Sequence, residues 1–390
     1  MALVSKTFSQ IITFTRASTA TFFNSAGTLT SAAVDAPRFD YNPSTLAAQG
    51  LLIEESRTNL LLQSGWAGAT SGSPGAAPTS WGLGFGTGTV TTVVSSTAGP
   101  IASAVRFDYD NTERVFFDQA ITVTSGTQYA FSIYVEALSG AVAGDVLTIT
   151  NGTTSGTVNT PVTSPSATGR YTLLFTANGN GTVFLRAGAG TTAALGGTGS
   201  ITLSRPQCEA GSFATSYIPT TTTELTREKD VASVNTLSPW YNSASGTLYA
   251  EYSIPFALTA SSGPRLGTFV GAGGAGVDEL SLFVLQTVNR TASANVFTGG
   301  VNAGRIDASA SFVANTIIKA AQAYASNDRA VTTGGSAPAT STAAYTIPTV
   351  TTLRLGSQDG GGTNNINGYL RRVSFFPRRL SNAELQALTT

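Results

Sequence analysis

Apolar and polar residues alternate with a period of two through most of this chain. In "TQYAFSIYVEAL", Tyr129, Phe131, Ile133 and Val135 fall on one side of an extended backbone, with small or polar residues on the other. That is the pattern of a strand with one buried and one wet face. The same rhythm returns in "ASAVRFDYD", "ERVFFDQAITVT", "DVLTIT", "GRYTLLFTA", "GTVFLRAGA" and "GSITLSRPQCEAG". About eight strands with no helix between them predict a two-sheet antiparallel sandwich over residues 61–219, most simply a jelly roll. A second series, "GTLYAEYSIPF", "RLGTFVGAG", "ELSLFVLQTV", "SANVFTGG", "NTIIKAAQAYASNDRAV", "VTTLRLGS" and "GYLRRVSFF", predicts another antiparallel sandwich over 231–390. Between them, "YIPTTTTELTREKD" sets four threonines after a proline and then mixed charges, so 220–230 reads as a linker.

Residues 1–60 carry shorter signals. "IITFTRASTATFF" and "TLTSA" flank a turn at Asn24 to Gly27, and Asn42-Pro43 marks another turn. In "GLLIEESRTNLLL", Leu51 to Ile53 read as a strand with core on both faces. So short a segment buries little by itself, and it is expected to pack on the domains downstream of it or on a partner chain. The one good helix signal comes at the end, where Ser381 and Glu384 form a capping box before Leu385 and Leu388. The expected fold is all-β: two antiparallel β-sandwiches, an N-terminal β-rich segment and one short C-terminal helix.

Composition narrows the chemistry. The chain has no histidine and one cysteine, Cys208. Neither an intrachain disulfide, a Cys/His zinc site nor a histidine-based triad can therefore be assembled. Cys208 lies in a strand-like stretch and is expected to be a buried, inert thiol. The 21 basic and 21 acidic residues balance, which gives no sign of a nucleic-acid partner. The N-terminus "MALVSKTFSQIITF" has no apolar h-region, and no window approaches the apolar length of a membrane span. Neither a secretory signal nor membrane insertion is expected.

Three groups of motifs resemble bacteriophage tail-fibre, tail-spike and related virion proteins. "FTRASTATFFNSAGTL", "APRFDYNP" and "GLLIEESRTNLLLQS" resemble an opening common in such proteins. "ITVTSGTQYAFSIYVEA", "GRYTLLFTA" and "PQCEAGSFATSYIPTTT" resemble a carbohydrate-binding-module-like jelly roll. "GTLYAEYSI", "LRLGS" and "GYLRRVSFFPRRLSNAELQAL" resemble a concanavalin A-like, laminin-G-like sandwich. The resemblance implies a jelly roll followed by a concanavalin-like sandwich, in a phage virion adhesin that binds host cell-surface glycans without covalent chemistry. It implies host polysaccharide or lipopolysaccharide and other virion proteins as partners, a homotrimer on the analogy of phage fibres, and a place on the particle surface after synthesis in the host cytoplasm. The alternative is a structural decoration or connector protein of the head or tail with no sugar recognition.

Candidate residues follow from that expectation. Aromatic faces stack on pyranose rings and amides bond their hydroxyls. Trp66 and Trp81 lie in a glycine-rich stretch, and Trp240 and Tyr241 precede the second sandwich; each reads more simply as a hydrophobic plug packed under a loop. Loop 356–367, "GSQDGGGTNNIN", offers Asp359, Asn364 and Asn365 as sugar ligands, or Asp359 and Asn364 as oxygen donors to a calcium ion; the plain alternative is a hairpin tip. Asn327 and Asp328 form a further polar turn, which a simple hairpin also explains. The carboxylate pairs Asp108/Asp110, Glu54/Glu55 and Asp278/Glu279 are the only candidates for glycosidase-type chemistry, and no β-helix repeat accompanies them. Finally, Arg371, Arg372, Arg378 and Arg379 crowd the tail. They read either as a grip on a polyanion or as the outer face of a closing strand, with a bulge or an edge where the alternation breaks.

Overall fold

The computed structural model of the protein describes residues 6–73, 75–85, 89–95, 101–109, 114–140, 144–151, 165–191, 197–256, 263–284, 291–311, 313–359 and 364–390. Its regular structure is antiparallel β-sheet with two short helices, Phe8–Ile11 and Asn382–Thr389. The chain divides into two compact units. One holds 20–31 and 57–227; the other holds 1–19, 32–56 and 228–390.

The unit of 20–31 and 57–227 is a sandwich. Its four-stranded sheet runs Leu147–Asn151, Gly181–Ala189, Val115–Val123, Gly82–Phe85. Its five-stranded sheet runs Gly169–Thr176, Gln128–Gly140, Gly199–Ala210, Ser103–Tyr109, Thr89–Ser95. Phe107, Phe117, Phe131, Ile133, Leu185 and Leu203 are fully buried in its core, each contributing roughly 1.5–3 kcal/mol by leaving water. The alternation of Tyr129, Phe131, Ile133 and Val135 places all four in that core, as their spacing predicts. Asn24 closes the first hairpin, its side-chain carbonyl accepting from the N–H groups of Ala26 and Thr28 at 3.0 Å.

The stretch "PQCEAGSFATSYIP" ties a loop down. Gln207 accepts from the Ile218 N–H (2.6 Å) and donates to the Ser216 carbonyl (3.2 Å). Glu209 accepts from the Thr215 N–H at 2.8 Å. Both side chains are fully buried, so these bonds satisfy groups that water cannot reach. Cys208 between them is also fully buried, and burial pushes its thiol well above the ordinary range.

In the other unit the N-terminal segment joins the C-terminal sandwich. Thr13–Thr15 begins an eight-stranded sheet that continues Val231–Val234, Thr352–Leu355, Arg265–Val270, Glu279–Val284, Thr291–Thr298, Val301–Asn302, with Ile306–Ser311 also on Thr291–Thr298. Ala48–Ile53 and Phe39–Tyr41 complete a seven-stranded sheet after Ala339–Ser341, Asp328–Thr333, Ile318–Ala325, Ser245–Ser253 and Gly368–Phe376. Phe14 and Ile53 are therefore in one core with Leu248, Phe269, Leu282 and Leu353.

A buried ionic cluster closes this unit. Arg16 and Arg38, both fully buried, converge on Asp230; Arg16 Nη1 lies 3.1 Å from Asp230 Oδ1, and Arg38 Nη2 bonds Asp230 Oδ2. Arg38 Nη2 also lies 2.8 Å from Glu54, whose N–H donates to Asp230 at 2.9 Å. Arg16 further donates to the carbonyls of Ser18, Ala33 and Ala36. Burial alone lowers the Arg38 pKa, but Asp230 and Glu54 reverse that and raise it above the ordinary guanidinium value. Residues 220–230 thus contain structure: Asp230 is buried in this cluster, and Leu225–Arg227 pairs with Arg57–Asn59.

The tail arginines are occupied. Arg371 meets Glu251 at 3.2 Å, Arg379 meets Asp328 at 2.9 Å, and Arg378 forks onto Glu384 at 2.8 and 3.1 Å. Arg372 lies over the Tyr249 ring. The break in alternation is a bulge at Arg371; the strand pairs on both sides at Tyr369 and Leu370 and on one side from Arg372 to Phe376. Ser381 accepts from the Glu384 N–H at 3.3 Å and the Glu384 carboxylate returns to the Ser381 N–H at 2.7 Å, the expected capping box.

Replacing Asp230 by Ala leaves Arg16 and Arg38 buried without their shared counter-charge, and the expected loss is about 3–5 kcal/mol in denaturant unfolding of the full chain. Cys208 is expected to resist Ellman's reagent in the native protein and to react stoichiometrically only in denaturant; rapid native labelling would contradict its placement.

Candidate functional site

In the eight-stranded sheet Leu353, Phe269, Leu280 and Val296 stand side by side and face the core. One residue along each strand lies the opposite face. There Ser233, Arg354, Thr268, Ser281 and Asn295 pair in register across five strands. At a strand spacing of about 4.8 Å the row runs about 19 Å.

This face differs from an ordinary wet one, which carries long, fully solvated side chains. Thr268 and Ser281 are 0% exposed and Ser233 is 3% exposed, while Arg354 and Asn295 at either side are half-buried. Neither Thr268 Oγ1 nor Ser281 Oγ has a hydrogen-bond partner among the described residues. Arg354 Nε is buried in the same condition, and no carboxylate among the described residues pairs with its guanidinium. A buried hydroxyl without a partner costs about 1–3 kcal/mol, so two in adjacent positions are a standing expense of this face.

Beside the row, Glu279 organises the loop over 356–367. Glu279 is fully buried; its Oε1 lies 3.3 Å from Arg265 Nη2, and its Oε2 accepts from the Gly276 N–H (2.9 Å) and Gln358 Nε2 (3.0 Å). Gln358 Oε1 in turn accepts from Asn364. Arg265 lies 4.3 Å from the Phe283 ring centroid, and its N–H donates to the Asn364 carbonyl at 2.9 Å. Burial pulls the Arg265 pKa below the ordinary value against the attraction of Glu279. The Ile366 N–H donates to the Gly356 carbonyl at 2.8 Å, closing the base of the loop. Next to these bonds Ser357 and Asn365 are buried, and neither the Ser357 hydroxyl nor either amide atom of Asn365 has a partner among the described residues.

The residues expected from sequence fall into separate places. Asn364 and Asn365 join the site, with Asp359 half-buried two residues from Ser357; residues 360–363 lie outside the described residues. Among the described residues no three acidic or cysteine side chains gather to hold a metal, and the Asn364 amide is engaged by Gln358. That bond uses the Asn364 Nδ2 and leaves its oxygen, the atom a calcium ion would take, uncommitted to it.

Trp66 is fully buried, edge-on to Trp81, Phe107 and Phe117 at 5.7–6.1 Å, and Trp81 donates to the Leu62 carbonyl. Both belong to the core of their sandwich, and neither indole offers a sugar a free face. Trp240 and Tyr241 pack half-buried on Phe269 and Phe375. Asn327 occupies the hairpin turn with φ +53° and accepts from the Tyr345 N–H, while Asp328 is paired with Arg379. These four are used in packing, turn formation and ion pairing.

The carboxylate pairs are also engaged. Glu54 binds Arg38, Glu55 exchanges hydrogen bonds with Asn367, Asp108 pairs with Arg106, and Asp278 accepts from the Gly299 N–H; Asp110 lies outside the described residues. Sequence reading missed Ser233, Thr268, Ser281, Asn295 and Arg354. Their only signal is that the outward positions of "RLGTFV", "ELSLFV" and "LRLGS" carry short hydroxyls and an arginine, and nothing in one strand reveals its register with the next.

Comparison with known proteins gives distant likenesses that carry no argument about this chain. No family description and no curated protein matches the chain. Among solved structures, the CBM40 module of Ruminococcus gnavus IT-sialidase bound to α2,3 sialyllactose is similar at 17% identity and TM-score 0.32, over 38% of this chain and 85% of that one. A structure of NanB with Optactamide is similar at 14% identity and TM-score 0.33, over 40% and 25%. The heptameric SAP-like pentraxin of Limulus polyphemus is similar at 14% identity and TM-score 0.30, over 37% and 70%. At these values no function passes from them to this chain.

Replacing Glu279 by Ala strands Arg265 and frees Gln358. The expected result is a loss of about 3 kcal/mol with faster hydrogen exchange at the Arg265 and Ile366 amides. Wild-type exchange there would contradict the role given to Glu279.

Proposed function

We propose that this chain is a virion adhesin, a fibre or spike subunit that binds host surface polysaccharide or lipopolysaccharide non-covalently through the polar face of its C-terminal sandwich. The observation that carries the glycan reading is the row Ser233, Arg354, Thr268, Ser281, Asn295, whose half-buried members Arg354 and Asn295 reach the surface on either side of the fully buried Thr268 and Ser281. The Asn295 oxygen accepts from the Val296 N–H, which leaves its amide N–H groups to donate, and the Arg354 guanidinium donates through a fork. Such a line complements a molecule that presents hydroxyls along its length. The virion part rests on the motifs that resemble phage fibre proteins.

Single sugar sites of this kind are weak. Several copies on one particle raise avidity through effective concentration without new contacts, so a homotrimer held among other virion proteins belongs to the proposal. Catalysis does not: the carboxylates considered for it, Asp110 aside, are spent on arginines, amides and backbone.

The test is binding of the intact protein to an array of bacterial surface polysaccharides. The Asn295→Ala variant removes the half-buried amide of the row. It is expected to melt like wild type while losing about tenfold in affinity, equivalent to ~1.4 kcal/mol. Absence of binding to every glycan at millimolar concentration would overturn the reading and favour a connector role.

A further inference from the structure

We infer that the glycan held on this face carries a carboxylate and that Arg354 receives it. The inference rests on the proposed glycan binding and names the class of sugar.

Arg354 stands in the row with Thr268 on one side and Ser233 on the other. The acidic groups of the same face are already committed. Glu279 is held by Arg265, Gln358 and the Gly276 N–H. Asp307, in register with Ser293, accepts from the Ser293 hydroxyl at 2.7 Å and pairs with Arg305 at 2.8 Å. Arg354 is therefore the positive charge on this face that no carboxylate among the described residues answers.

Its environment makes that arrangement costly without an acceptor. The Nε–H is buried and unpartnered, as are the hydroxyls of Thr268 and Ser281 beside it. A guanidinium remains charged at every physiological pH, and its planar fork matches the two oxygens of a carboxylate. A neutral sugar could answer the Asn295 amide but would leave the charge without a counter-charge. A sugar acid answers the charge: its carboxylate meets the half-buried Arg354 fork, and hydroxyls of sugars further along the glycan reach Asn295, three strands away. The four tail arginines cannot take this part, because three hold carboxylates of the protein and Arg372 lies against Tyr249 and Ser374.

Titration of the full chain, followed by NMR, with methyl glucuronide and methyl glucoside tests the inference, since the two ligands differ only at C6. The glucuronide is expected to bind at least about tenfold more tightly, with an advantage that shrinks as salt rises. Arg354→Gln is expected to erase the advantage while melting within a degree or two of wild type. Arg354→Lys keeps the charge but not the fork and is expected to retain part of it. Equal binding of both ligands would overturn the carboxylate inference and leave the adhesin reading standing. Tighter binding of glucose 6-phosphate than of the glucuronide would also overturn it, in favour of a phosphorylated glycan. Failure of both methyl glycosides to bind while the array is positive would overturn it as well; a negative array would remove the adhesin reading with it.

Discussion

The fold of the larger unit depends on one carboxylate. Asp230 sits between two buried arginines, and each of those belongs to a different part of the N-terminal segment. Burying three charged side chains is unfavourable unless each finds a partner and the remaining donors find oxygens. Here each charge has a partner: Asp230 serves both arginines, Glu54 supplies a second counter-charge for Arg38, and Arg16 also reaches three backbone carbonyls. The arrangement is possible only if residues 16, 38, 54 and 230 meet, so it selects one placement of strands that are too short to specify their own. With that placement fixed, Thr13–Thr15 enters the eight-stranded sheet beside Val231–Val234, and Ala48–Ile53 enters the seven-stranded sheet beside Gly368–Phe376.

The sheet completed in this way presents the candidate site. The alternation that sends Leu353, Phe269 and Leu280 into the core sends Arg354, Thr268 and Ser281 to the other face. Its buried hydroxyls contrast with the buried polar groups that tie down loops elsewhere. Gln207 and Glu209 are fully buried and bonded to backbone, and Asp230 is bonded to arginines. Thr268 and Ser281 are just as buried and have no such partners among the described residues. A structural role explains the first group completely and leaves the second unexplained.

Much of the fold was legible because a period of two is a local property. Each long strand announced itself, and the capping box of Ser381 and Glu384 was readable from residue types alone. The turn at Asn24 and the buried run Leu51 to Ile53 were legible for the same reason. What sequence could not show was pairing between distant segments. Arg16 and Asp230 look like ordinary charged residues until 214 positions of chain bring them together. The site suffered likewise: Trp66 and Trp81 attracted notice as large aromatics, yet their size is what the core uses. Loop 356–367 was visible as a polar insertion, and the structure adds that Glu279 and Arg265 hold its described ends beside the polar row.

The central claim is that this face binds a glycan, and a structure of the protein soaked with fragments of host surface polysaccharide tests it most directly. The account predicts sugar density lying across the row, with sugar oxygens within hydrogen-bond distance of the half-buried Arg354 and Asn295. Density confined to another surface would contradict it.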